Sequence, residues 1–242
     1  MTSTASPPVA RGARRRDRRA TTADQIKELI LTEGLRPGDA LPTETELCER
    51  LDVSRSSVRE AVRTLTTLDI VEVRHGHGTF VGRMSLDAMV EALVFRGVLS
   101  PGDDLQALRE VVEIRQALDL SMADRLVEAM QGREHPELDQ LVEDMVGEAA
   151  AGHRFAEADR RFHTMLLDCT GNGLAGQLVG AFWDVHTAVL PRLGLALPSD
   201  LSQTAQAHGR MVRSAEAGDL DGYRAAVVDH YEPLQRAIAR VV

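Results

Sequence analysis

The spacing of apolar positions divides this chain into two unequal parts. Near the N-terminus Ile26, Leu29 and Ile30 recur at helical spacing, which predicts a helix over 22–33 that Gly34 stops. Residues 35–39, Leu-Arg-Pro-Gly-Asp, read as a turn. Thr43 with Glu46 three residues on is a capping box, opening a second helix to about Leu51. Ser54 is an N-cap for a third helix, in which Val58, Ala61, Val62, Leu65 and Leu68 predict the core-facing side. Two short β runs follow at 70–74 and 78–81, joined by His75, Gly76 and His77, with glycine supplying the turn. Beyond Gly82 the pattern is helical throughout. Helices are predicted near 84–96, 104–131, 136–151, 154–170, 173–192, 200–217 and 219–240, broken at Gly and Pro positions. The expected fold is mainly α: an N-terminal winged helix-turn-helix, α with a small β-hairpin, then an all-α bundle of about seven helices.

Polar residues sharpen this division. The chain of 242 residues carries a net charge of −9, which at first sight disfavours nucleic acid. Residues 1–83 hold 14 Lys and Arg against 12 Asp and Glu, whereas residues 84–242 hold 14 against 25. That asymmetry predicts two domains with different partners. Because screening acts over roughly 8–10 Å, local basic side chains can bind DNA within an acidic protein. The expected boundaries are a disordered basic tail at 1–21, a DNA-binding domain at 22–83 and an effector-binding domain at 84–242. Arginines 14, 15, 16, 18 and 19 lie in the tail, with no apolar stretch after them, which argues against a secretory signal. No apolar run approaches the ~20 residues needed to span a bilayer. Cys48 and Cys169 lie far apart without metal or redox spacing. They fit a reduced, cytoplasmic protein.

Two constellations carry chemistry. In the third helix Arg55, Arg59 and Arg63 recur every four residues on one face, beginning at the Ser54 cap. A narrow helix with basic residues near its start has the shape that enters a DNA major groove. In the helical part Asp159 and His163 stand one helical turn apart, a natural chelating pair. His208 and His230 flank the turn at Gly218 and Asp219 at similar distances, each roughly 15 Å along its helix. An antiparallel hairpin would bring them level. One carboxylate and three imidazoles could then converge between helices. The donor set suits a divalent transition metal, Zn ahead of Ni, Fe, Mn or Co.

The motifs Leu35-Arg36-Pro37-Gly38-Asp39-Ala40-Leu41-Pro42-Thr43-Glu44, Val53-Ser54-Arg55-Ser56-Ser57-Val58-Arg59-Glu60-Ala61 and Gly76-His77-Gly78-Thr79-Phe80-Val81 resemble the DNA-binding domain of GntR-type bacterial regulators. The helical remainder resembles the FadR-type ligand-sensing domain, the FCD domain. The resemblance places the arginine helix in the major groove and the hairpin wing near the minor groove. It implies Ser54, Arg55, Ser56, Ser57 and Arg59 as DNA contacts, with His75, Gly76 and His77 on the wing. Thr45 stands where the family usually has an arginine, so that contact is lost or replaced by a weaker hydroxyl one. The resemblance also implies a metal held by an Asp, a His four residues on and two later histidines, matching Asp159, His163, His208 and His230. It gives Arg115 the role of holding an effector carboxylate, with Asp119 where the family often has Glu. Trp183 and His186 are further candidates for the cavity wall, although a core tryptophan and a surface histidine would explain them equally.

These readings predict a homodimeric transcription regulator, commonly a repressor, that binds a palindromic double-stranded operator and senses a small organic acid. No enzymatic activity and no membrane partner are expected. One alternative is a metalloregulator with the metal as signal. Another is a metal-dependent hydrolase with a DNA-binding appendage, which would need a general base such as His-Glu-x-x-His supplies. The chain has no such motif.

Overall fold

A computed structural model describes residues 20–99, 104–189 and 201–239. They divide into two compact units, up to Met84 and from Ser85 onward. Most of the predicted tail, through residue 19, lies outside the described residues.

The first unit comprises α1 (Thr22–Thr32), α2 (Glu44–Leu51), α3 (Arg55–Thr67), β1 (Val71–Arg74) and β2 (Gly78–Val81). Local chemistry fixes each helix start. The Thr43 hydroxyl accepts from the Glu46 N–H while the Glu46 carboxylate accepts from the Thr43 N–H, the capping box the sequence predicted. Thr21 and Asp24 form a second one at α1 that pattern reading missed, so Thr21 belongs to the helix cap rather than to a tail. Asp52 turns the chain out of α2 in the left-handed conformation, and the Ser54 hydroxyl accepts from the Ser57 N–H to start α3.

Ile26, Ile30, Leu47, Val58, Ala61, Leu65, Val71 and Val81 form one buried cluster. Leu68 does not join it; it stands exposed at the C-cap of α3, where the last turn has rotated off the core. The strands pair antiparallel, Val71 opposite Val81. The segment read as a plain turn contributes a third edge. Ala40 bridges Phe80, Leu41 N–H donates to the Thr79 carbonyl, and Val81 N–H donates to the Asp39 carbonyl. Gly82 is required by close approach, since a Cβ there would run into the Asp69 carbonyl.

The second unit holds α4 (Asp87–Leu99), α5 (Asp104–Ser121), α6 (Ala123–Met130), α7 (Pro136–Ala150), α8 (Ala156–Asp168), α9 (Gly173–Val189), α10 (Leu201–Ala217) and α11 (Leu220–Ala239). The helix predicted over 104–131 is therefore two helices. The break falls at Met122, where the Ser121 hydroxyl donates to the Leu118 carbonyl. Such back-bonding competes with the backbone ladder and bends helices. The predicted extensions of α9 to 192 and of α10 back to 200 fall outside the described residues.

Leu108, Val112, Leu126, Met130, Leu138, Phe162, Leu166, Val179, Met211, Tyr223 and Val227 belong to one buried cluster. Within this unit Arg115, Asp119, His163, His186, His208 and His230 are also buried. Buried charged and imidazole groups cost free energy unless they are paired or hold a ligand, so this polar knot marks a site.

Candidate DNA-reading helix and candidate metal and effector site

The arginine face of α3 is exposed at Arg55, Arg59 and Arg63. Arg55 has no ion pair among the described residues. Arg59 is held: its Nε donates to both Glu44 oxygens, at 2.9 and 3.2 Å, from the first position of α2. Glu44 thus fixes the direction of the side chain, a partner that spacing within α3 could not reveal. Thr45 is exposed beside it. Ser54 Oγ lies 2.8 Å from Ser56 Oγ and 2.9 Å from Ser57 Oγ, so the three hydroxyls cluster at the helix start. On the wing, Gly76 and Gly78 take positive φ. His77 Nδ1–H donates to the His75 carbonyl at 3.0 Å, and Arg74 lies over the Phe80 ring at 4.2 Å. His75, Gly76 and His77 are all exposed at the tip.

In the second unit α8 supplies Asp159 and His163, while the α10–α11 hairpin supplies His208 and His230. The hairpin turns at Gly218, φ +73°, and Asp219, whose carboxylate accepts from the Gly222 N–H. This brings the two later imidazoles to 4.4 Å between ring centroids. The three Nε2 atoms face one another. His163 Nε2 lies 3.0 Å from that of His230 and 3.3 Å from that of His208. Asp159 Oδ1 is 2.9 Å from His208 Nε2 and 3.5 Å from His163 Nε2. One ligand atom from each of the four residues lies within 4.8 Å of the others.

This group cannot satisfy itself. His163 Nε2 carries either one proton or one lone pair, yet it faces two imidazole nitrogens. Asp159 Oδ1 is buried without an aligned hydrogen-bond donor. A cation that shares the lone pairs resolves both conflicts, so the residues fit a divalent metal.

The protonation states agree with that fit. Burial, with some relief from Asp159, pushes His163 down to about 3. Burial together with His208 and His163 drives His230 well below the ordinary value. For Asp159, burial alone would raise the carboxyl, but His208, His163 and His230 outweigh it and hold it well below the usual carboxylate range. Neutral His163 and His230 and an ionised Asp159 are forms that bind metals. Behind the cluster Asp119 Oδ2 accepts from Tyr231 Oη at 2.7 Å and stands 3.7 Å from His163 Nδ1. A carboxylate on that side favours the Nδ1–H tautomer and leaves Nε2 free for a ligand role. Burial raises this carboxyl to about 6, against the lowering effects of Tyr231 and Arg115.

Arg115 lies one helical turn before Asp119 on α5 and is 1% exposed. Its Nη1 lies 3.0 Å from His186 Nδ1. A guanidinium cannot accept, so His186 accepts and its own proton sits on Nε2. Burial, then the Arg115 charge, push His186 down to about 3. Nε and Nη2 of Arg115 have no partner. The surface alternative for His186 is therefore corrected: it is buried, and Arg115, also buried, reaches it on α9 across the bundle. Trp183 Nε1 donates to Asp159 Oδ2 at 2.6 Å, so it orients the carboxylate rather than only filling the core. Arg115, Asp159, Trp183, His186, His230 and Tyr231 line one cavity of about 90 Å³, completed by Arg154, Phe155, Ala156, Thr187, Leu201, Thr204 and Leu234.

A winged helix-turn-helix unit and a helical unit with a buried polar cavity are the parts of a DNA-binding regulator. Residues 18–81 match the bacterial regulatory proteins of the gntR family, and residues 110–233 match the FCD domain. The chain belongs to the GntR family of transcriptional regulators and carries an FCD domain. It is similar to the galactonate operon transcriptional repressor of Escherichia coli (strain K12), 26% identical over 214 residues, covering 86% of this chain and 93% of that protein. It is also similar to the HTH-type transcriptional regulator LutR of Bacillus subtilis (strain 168), 28% identical over 151 residues, covering 62% of this chain and 67% of the relative. Among solved structures, a Streptococcus agalactiae GntR protein superimposes with a TM-score of 0.66 at 28% identity, over 89% of this chain and 97% of the other. No helix among the described residues is long and apolar enough to cross a membrane.

Proposed function

We propose that this regulator represses transcription as a cytoplasmic homodimer on a palindromic operator, and that its helical unit senses a small carboxylate. The observation that carries the sensing role is the half-satisfied guanidinium of Arg115, buried in a cavity beside three convergent imidazoles. Arg115 makes no ion pair among the described residues, and a buried cation left unpaired is strongly unfavourable, so an anion belongs there. Asp159, His163, His208 and His230 would hold the metal. When bound, it would supply a Lewis-acid position for an effector oxygen. Nε and Nη2 of Arg115 offer a fork that suits a carboxylate. His186, fixed with its proton on Nε2, can donate to a neighbouring hydroxyl or carbonyl oxygen of the ligand. Repression is proposed on the likeness to the galactonate operon repressor.

Effector binding would shift operator affinity by a coupling of about 1–3 kcal/mol. The test is fluorescence anisotropy on an operator selected from random-sequence DNA, with protein as purified, chelated, or supplied with a panel of small organic acids. A change of affinity with an acid, lost on chelation, is the expected result. If chelation alone releases the DNA and no acid matters, the metal is the signal and the metalloregulator reading replaces this one.

A further inference from the structure

We infer that the effector carries two acid groups, and that Arg154 at the rim of the cavity selects the second one. This rests on the carboxylate-sensing reading and narrows it to short diacids. The cavity is lined by two arginines of opposite kind. Arg115 is buried, whereas Arg154 is exposed on the segment between α7 and α8. Arg154 makes no hydrogen bond or ion pair among the described residues.

Asp159 is the one carboxylate among the lining residues. Its Oδ2 accepts from Trp183, and its Oδ1 is turned into the histidine cluster, 2.9 Å from His208 Nε2 and 3.5 Å from His163 Nε2. The cavity therefore holds two guanidinium groups and no available anion. The lining also includes the apolar Phe155, Leu201 and Leu234. A ligand spanning the site needs an acid at each end and a short uncharged middle.

Size supports the same class. The cavity offers about 90 Å³ to the centre of a water molecule. A water-sized group needs roughly 10–15 Å³ of such space, so about six to nine non-hydrogen atoms fit. A four-carbon dicarboxylate has that size. Arg154 also lines an outer groove with Glu143, Asp144, Glu148 and Glu157 and pairs with none of them, so its exposed side chain is shared between the cavity and that groove. There it can close over a distal carboxylate, a contact that long monoacids would not make.

The experiment is calorimetry on the full chain as purified, comparing succinate with butyrate and malate with 2-hydroxybutyrate. Each pair differs in one distal carboxylate. The wild type should bind the diacids about five- to tenfold more tightly, the range of a partly exposed bidentate pair. Arg154→Gln should erase that difference while leaving monoacid affinity unchanged, and Arg154→Lys should keep part of it. Arg115→Ala should weaken all four acids. Diacids bound no more tightly than monoacids by wild type, or a preference that survives in Arg154→Gln, would overturn the inference and leave Arg115 sensing intact. If none of the four acids binds, or Arg115→Ala binds them as wild type does, the carboxylate reading itself fails and this one with it.

Discussion

The candidate polar groups of the two units stand in opposite environments. Arg55 and Arg59 lie in water, where Arg59 is steered by one exposed carboxylate, Glu44. Arg115 and the imidazoles of His163 and His208 lie at or near zero exposure, surrounded by apolar side chains. An exposed cation pays little to remain unpaired and contributes little until a dense anion such as DNA arrives. A buried cation or an unsatisfied imidazole cluster is costly at every moment until its ligand is present. The first arrangement suits a surface that must leave one DNA site and find another. The second suits a pocket that discriminates among small molecules, because a wrong ligand leaves buried groups unpaired.

Removing a direct donor should produce the largest effect. His208→Ala takes away one of the four convergent groups, and its metal affinity should fall by more than the roughly 10–100-fold typical of losing an outer-shell partner. The apolar cluster of the bundle should keep the variant folded. Elemental analysis alongside circular dichroism checks this. Full metal occupancy in a folded variant would show that the imidazoles are a self-contained polar core and would dissolve the contrast.

Arg115→Ala comes next. Truncating one partner of a buried charge pair typically costs about 2–5 kcal/mol, so the acid should lose its effect on operator affinity. Metal content and DNA binding without the acid should be unchanged, since Arg115 is not one of the four converging groups. Titration of labelled operator in the presence of acid is the readout. An unchanged response would mean that the His186 contact is the whole of the role of Arg115.

Arg59→Ala removes an exposed group. A good bidentate arginine–base pair contributes ~1–3 kcal/mol. Because Glu44 already directs the side chain, Glu44→Gln should produce a smaller loss of the same kind. Anisotropy titrations against specific and scrambled DNA separate the effects. If Arg59→Ala weakens both DNAs equally, the residue contacts phosphate only.

The contrast also explains what could be read along the chain. The reading helix is contiguous: cap, apolar stripe and arginines lie within 54–68, and one period covers them all. Its limits were local too. Leu68 falls on the stripe by spacing, but the helix ends there and the side chain turns to solvent. In the bundle, Asp159 with His163 could be paired because a helix brings residues four apart together, and His208 with His230 because a hairpin has equal arms. The contacts of Trp183 with Asp159, His186 with Arg115 and Tyr231 with Asp119 cross between helices over sequence separations of 24, 71 and 112 residues. No local period encodes such pairs. The one hint was the spacing of Arg115 and Asp119 on a common face, which shows a shared direction and not what lies opposite.

The smallest expected effect tests whether the exposed surface extends from α3 to α2. Thr45 occupies the second position of α2, exposed beside the glutamate that holds Arg59. Against the pattern that its motifs resemble, Thr45 leaves this surface one cation fewer. Thr45→Arg should tighten binding modestly and steepen the dependence of log affinity on log salt by about 0.9, the increment for one added phosphate contact. The capping box belongs to Thr43 and Glu46, so the helix start should be preserved. The new guanidinium could instead pair with Glu44 and release Arg59. Combining Thr45→Arg with Arg59→Ala separates these outcomes: independent contacts add, whereas competition for one carboxylate does not. An unchanged salt slope in the single variant would place position 45 away from the DNA and confine the reading surface to α3 and the wing.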